Sequence, residues 1–278
     1  MKKLKFISLV IILMAVTVCN AQSNADKQFE KSLQELIFSG TFASSFNPSQ
    51  LEGSFKQLAA EVVGPDKAAA KTQEYLNTQM MTDAMSVLSP YYKKTMSVED
   101  ITYLIERCNT PEGKVAVQHC AILNSAEGQT ELQSSLLPAM MNALQGLPYE
   151  KIKPVACAES YKAKCYQYLE ATGSGNELIE GIFSSFNGMA AQLSGEEAKE
   201  FQTVMDNLKT FMVDNLPVIY LNMSHGQISE ADFDFFIDLY SSPAGQNYTK
   251  GNSLMVKDLM NVGMQLVEKF SAWMLENK

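Results

Sequence analysis

Apolar residues recur at intervals of three and four along much of the chain. Ile101, Leu104, Ile105 and Cys108 form one such stripe, and Phe233, Phe236, Ile237 and Tyr240 form another. Spacings of i, i+3, i+4 and i+7 place all four side chains of each set on one face of an α-helix. Phe201, Val204, Leu208, Phe211 and Asn215 follow a third face, with Met205 and Met212 beside it. Met255, Leu259, Val262, Leu266, Phe270 and Trp273 continue a long final stripe. No stretch alternates with the period of two that a strand requires. The pattern predicts an all-α protein.

The polar punctuation between stripes is written twice. Ser97-Val98-Glu99-Asp100, an apolar-faced stretch and Thr110-Pro111-Glu112-Gly113 recur 132 residues later as Ser229-Glu230-Ala231-Asp232, a similar stretch and Ser242-Pro243-Ala244-Gly245. Upstream, Leu36-Ile37-Phe38-Ser39-Gly40 is echoed at an offset of 133 by Leu169-Glu170-Ala171-Thr172-Gly173. Three anchors at nearly one spacing point to a duplicated unit. Ser97 and Ser229 each precede an aspartate by three residues, which lets the two side chains satisfy exposed backbone donors where a helix opens. Thr110 and Ser242 suit the N-cap of a second helix, and Pro111 and Pro243 suit its first position. Gly113 and Gly245 lack a Cβ, which allows close approach near the turn. Each copy therefore reads as an amphipathic αα-hairpin.

The remaining segments give an organisation. Lys2, Lys3 and Lys5 precede an apolar run from Phe6 to Val18, and Cys19-Asn20-Ala21 ends in a small residue. This is the pattern of a secretory signal peptide over 1–21, cleaved after Ala21. Lipoprotein processing at Cys19 is the rival, but it wants a small residue where Val18 stands. Residues 22–146 and 155–278 read as two tandem related helical bundles. Leu147 to Pro154, with prolines near each end, reads as the linker, and Pro154 as the opening of the next helix. The expected address is periplasmic or secreted. Later stretches are too polar to span a membrane, since a spanning helix needs about 20 apolar residues.

Without the three signal lysines, the 22 basic residues fall to 19 against 31 acidic ones, a net charge of −12. Such a surface repels polyanions and excludes nucleic acid as a partner class. Cys108, Cys120, Cys157 and Cys165 remain, an even number that in an exported chain suits two disulfides, with free buried thiols as the alternative. If Cys157 and Cys165 share one helix they lie about 12 Å apart, too far for a bond. Cross-pairing with Cys108 and Cys120 is then the disulfide option.

The stretch from Ile228 to Gln246 resembles the core of a bacterial family known as domain of unknown function 2059. The matching positions are Ile228, Ser229, Glu230, Asp232, Tyr240, Ser242, Pro243 and Gly245, with Leu169 to Gly173 and Glu177-Leu178 as its upstream signature. The first copy is similar but looser: Cys108 stands where the second has Tyr240, and Tyr92 lies nearer its cap than Tyr220 does. The resemblance implies an exported helical protein of Gram-negative bacteria, and brings neither a reaction nor catalytic residues.

Candidate chemistry is sparse. The two histidines, His119 and His225, show no metal-ligand spacing with cysteine or each other. Glu230, Asp234 and Asp238 form an acidic stripe that reads as a solvated helix face. Gly173-Ser174-Gly175 follows no strand, so a phosphate role lacks its usual setting. We expect no catalytic, cofactor-binding or metal residues, and therefore no cofactor. The 14 methionines left after the signal, some paired as Met80-Met81 and Met140-Met141, suit a core or an adaptable apolar groove. The expected function is a non-catalytic binding or interaction protein whose partner is a protein or a small apolar ligand. The alternatives are a carrier or chaperone with a Met-rich groove, and a hydrolase built on the acidic stripe and His225.

Overall fold

The computed structural model describes residues 24–38, 48–123, 141–143, 145–175, 179–181, 183–184 and 193–277. The signal segment 1–21 and Met140 lie outside the described residues. Eleven helices are laid out among those described: α1 (Asn24–Phe38), α2 (Pro48–Val63), α3 (Pro65–Thr78), α4 (Met80–Tyr92), α5 (Val98–Asn109), α6 (Pro111–Leu123), α7 (Glu159–Ala171), α8 (Gly195–Ser224), α9 (Glu230–Ser241), α10 (Pro243–Lys257) and α11 (Leu259–Glu276). The protein is all-α, with no strand among the described residues. No helix among them is long and apolar enough to cross a membrane.

Local chemistry explains the two hairpins. At α5 the Ser97 Oγ accepts from Asp100 N at 3.1 Å, and Asp100 Oδ2 accepts from Ser97 N at 2.9 Å. At α9 Ser229 and Asp232 repeat this reciprocal capping. Thr110 Oγ1 then donates to Arg107 O at 2.8 Å and accepts from Gly113 N at 3.0 Å, closing α5 and opening α6 with one hydroxyl. Ser242 does the same between α9 and α10. A Cβ on Gly113 would lie 2.8 Å from Cys108 Cα, and one on Gly245 would lie 2.8 Å from the Tyr240 carbonyl carbon. Both glycines are therefore fixed by the tightness of the turn.

Helix α9 begins and ends 132 residues after α5, and α10 begins 132 residues after α6. Their packing is reciprocal. Helix α6 lies against α9 as well as α5, and α10 lies against α5 as well as α9. Further contacts cross between the halves: α10 and α11 both pack on α4, and α11 also packs on α2 and α3. Gly251 makes the α10–α4 approach close, since a Cβ there would meet Tyr92 Cδ1 at 2.8 Å. One core of buried side chains, from Leu33 and Tyr75 to Phe233 and Phe270, runs through both halves. Described residues of both halves thus contribute to this core.

Two sequence expectations need correction here. Pro154 does not open a helix. Residues 147–158 run without helix until α7 starts at Glu159. Two asparagines seven residues apart on one face of α8 hold this strip: Asn215 Oδ1 accepts from Ile152 N at 2.9 Å, and Asn222 Oδ1 accepts from Val155 N at 2.7 Å. Asn222 Nδ2 also donates to Lys153 O at 2.9 Å. The backbone groups that a helix would need are already engaged. The long final stripe, likewise, is not one helix. It breaks at Asp258 between α10 and α11, while Met255, Val262, Leu266 and Phe270 stay buried on either side.

Candidate functional site at the junction of the halves

A hydrogen-bonded cluster forms where α6 of the first half meets the cap of α9. Asp232, in the first turn of α9, is 5% exposed, and its Oδ2 accepts from Ser229 N at 2.7 Å and from Ser229 Oγ at 2.7 Å. His119 Nδ1, from α6 of the other half, reaches the same oxygen at 2.8 Å. Burial alone would push the Asp232 carboxyl up. The hydrogen bonds from the Ser229 side chain, His119 and the Ser229 backbone, together with the nearby His119 charge, outweigh it and hold the group below the usual carboxylate value.

The opposite junction is built alike. Asp100 Oδ2, in the first turn of α5, accepts from Asn247 Nδ2 of α10 at 3.1 Å. Each capping aspartate thus takes a further bond from the second hairpin helix of the other half. One clasp uses a neutral amide on a half-exposed aspartate, the other an imidazole on a buried one.

Around the His119 clasp, the second histidine comes close to the same elements. His225, exposed in the turn after α8, packs edge-on against the Tyr161 ring with centroids 5.5 Å apart. Tyr161 of α7 donates its hydroxyl to Ile228 O at 3.0 Å, one residue before the cap. The acidic stripe is answered from α7: Lys164 pairs with Asp234 and with Glu230, and Ser160 Oγ donates to Glu230 Oε1 at 2.9 Å. Asp238, the third member, is exposed. Among the described residues, no group of three or more His, Cys, Asp or Glu side chains could hold a metal ion.

The four cysteines are free thiols, so the cross-paired disulfides are not formed. The premise that kept Cys157 and Cys165 apart also falls, because Cys157 precedes α7 rather than lying on it. Burial pushes the Cys108 thiol up to about 12 and Cys165 to about 11. Burial, with the Asp232 charge adding to it, pushes Cys120 to about 12. These three are protonated and unreactive near neutral pH.

Behind the clasp lies a group that the stripes did not reveal. Tyr168 of α7 packs against Phe233 and Phe236 of α9 at centroid distances of 5.5 and 5.8 Å, and Tyr220 of α8 lies 6.5 Å from it. Tyr240 and Tyr248 extend the line at 6.1 Å from one another. Burial pushes Tyr220 and Tyr248 up to about 12, and Tyr168 and Tyr240 well above their ordinary value. The available signal was polar-tipped residues at apolar positions, with Tyr161 and Tyr168 seven apart on one helix.

Met80, Met85, Met96, Met205, Met255 and Met274 are buried in the core. A separate concavity of about 290 Å³ beside α8 is lined by Glu180, Phe183, Phe201, Met205, Asp206 and Lys209, with Lys209 paired to Glu180 at 2.7 Å. Comparison of the chain with protein-family models, curated proteins and solved structures gives no match.

Proposed function

We propose that this chain is an exported, non-catalytic binding protein, akin to the family of unknown function that its second half resembles. The supporting observation is how the junction spends its polar groups. Ser229 Oγ donates to Asp232 and accepts from the Asp232 backbone, while Asp232 Oδ2 accepts from Ser229 and His119. The group that accepts the serine proton is a carboxylate held ionised by several donors, and such a carboxylate is a weak base. These residues hold helix ends and join halves. Export rests on the lysines and apolar run of residues 2–18.

Two measurements test this. The mature protein, assayed on a panel of p-nitrophenyl esters, phosphates and glycosides, is expected to give no turnover. Turnover that His119→Ala or Ser229→Ala abolishes without lowering Tm would overturn the reading. Cell fractionation and N-terminal sequencing are expected to find the chain outside the cytoplasm, beginning at Gln22.

A further inference from the structure

We propose that the face of α8 bearing Asn215 and Asn222 is a binding surface for extended, basic peptide segments, and that residues 149–155 of the chain itself occupy it as a displaceable strip. This inference rests on the binding-protein reading above and names the class of partner.

The face reads backbone. Phe211, Asn215 and Asn222 stand at i, i+4 and i+11, which aligns them along one side of the helix. Asn215 is buried, and its Nδ2 donates to Phe211 O of the preceding turn at 2.9 Å. That bond fixes the amide, so Oδ1 faces the strip and accepts from Ile152 N. Asn222 uses both ends of its amide, on Lys153 O and on Val155 N, the groups on either side of Pro154. An extended chain offers a carbonyl and an N–H at that spacing whatever its side chains. Two side-chain contacts add selectivity. The Tyr149 ring meets Phe211 edge-on with centroids 5.1 Å apart, and Lys151 pairs with Asp214 at 2.7 Å. The matching segment is therefore extended and carries an aromatic residue two positions before a lysine. It presents N–H groups one and four positions after that lysine. The chain's net charge of −9 favours basic segments over acidic ones.

The strip is built to leave. None of residues 147–158 is buried, so the strip is held by these few contacts and not by a core of its own. Segments with few buried apolar contacts open locally at low cost, without unfolding the whole. Once the strip is gone, Asn215 Oδ1 needs another donor, and the N–H of an incoming segment supplies it. The strip is tethered at both ends, so it competes as though present at roughly millimolar concentration. An outside segment therefore binds weakly for as long as the strip keeps its own N–H groups on the asparagines.

The test follows the full mature chain by fluorescence anisotropy with a labelled, end-blocked peptide that has the sequence of residues 147–156. Proline removes an N–H, so Ile152→Pro/Val155→Pro takes both donors from the strip and leaves α8 intact. This variant is expected to bind the peptide about tenfold or more tightly than the parent. Ile152→Ala/Val155→Ala keeps both N–H groups and should stay within about threefold of the parent. Adding Asn222→Ala to the proline variant should cancel the gain, and a peptide with proline at the same two positions should not bind. Should the double proline variant fail to fold, Val155→Pro alone, whose partner Asn222 water can reach, is expected to gain about threefold. Equal binding by the parent and the folded proline variant, a gain matched by the alanine variant, or binding that Asn222→Ala leaves unchanged would each overturn the surface. The two proposals fail separately. Turnover in the ester panel would overturn the non-catalytic reading while leaving the peptide gain intact. Absence of that gain would remove the surface and leave the panel result standing.

Discussion

Substituting the same residue in the two clasps separates local capping from the joining of halves. Asp100→Ala removes a half-exposed carboxylate from the start of α5. Water can reach the freed Ser97 and Asn247 donors, so the cost is that of a weakened cap, about 1 kcal/mol. Asp232→Ala removes a carboxylate that is 5% exposed, and with it three hydrogen bonds, two from Ser229 and one to His119 Nδ1 that joins α6 to α9. Hydrogen bonds to charged groups contribute about 1.5–3 kcal/mol, and contributions within one network do not add fully, so we expect a cost of about 3 kcal/mol. For a chain of this length that corresponds to a Tm loss of about 6–12 °C, against about 2–4 °C for Asp100→Ala. Urea unfolding followed by circular dichroism measures both. The pH dependence supplies a second reading. The fold depresses the Asp232 pKa, so its stabilisation is complete above the unfolded value of about 3.9 and is lost as pH falls through the folded value. The deficit of Asp232→Asn should therefore shrink on acidification below about pH 4. Equal losses for the two alanine variants, or a deficit unchanged down to about pH 2, would refute the clasp.

Three further outcomes are expected. Asn215→Ala, which frees the Ile152 N–H inside the protein, should cost about 2–3 kcal/mol by urea denaturation, and Asn222→Ala, which water can reach, about 1 kcal/mol. Gly251→Ala should cost about 1–3 kcal/mol because its methyl would meet Tyr92, whereas Gly53→Ala, with nothing within 4 Å, should gain about 0.5–1 kcal/mol; thermal unfolding of both variants checks the contrast. Native labelling with a maleimide at neutral pH, read by mass spectrometry, should modify half-buried Cys157 first and leave Cys108, Cys120 and Cys165 slow.

The hairpins were legible because capping is local. Ser97 and Asp100, or Ser242 and Gly245, act across three residues, and the chain displays that chemistry in order. The joining contacts were not legible because they span more than a hundred residues and do not occupy equivalent positions. His119 aligns with Gly251 across the copies, while its functional counterpart, Asn247, stands one helical turn earlier. Asn215 was a signal that could have been followed: an amide on an otherwise apolar face needs a buried partner, here the backbone of residue 152. Pro154 misled for a related reason. Proline is as welcome in an extended strip as at a helix start, and the asparagines of α8 decide between them from more than sixty residues away.

The reciprocal clasps bear on how such a molecule could arise. A single unit of this kind has a second helix that contacts the neighbouring hairpin and a capping aspartate that awaits a donor from it. Alone, it could complete those contacts only in a symmetric pair of chains, with assembly that weakens on dilution. Joining the two units by one strip of chain turns that encounter into an intramolecular one, independent of concentration. Once they are joined, the two sides no longer have to match. One clasp can keep a neutral amide while the other adopts an imidazole, and the faces between them are free to diverge.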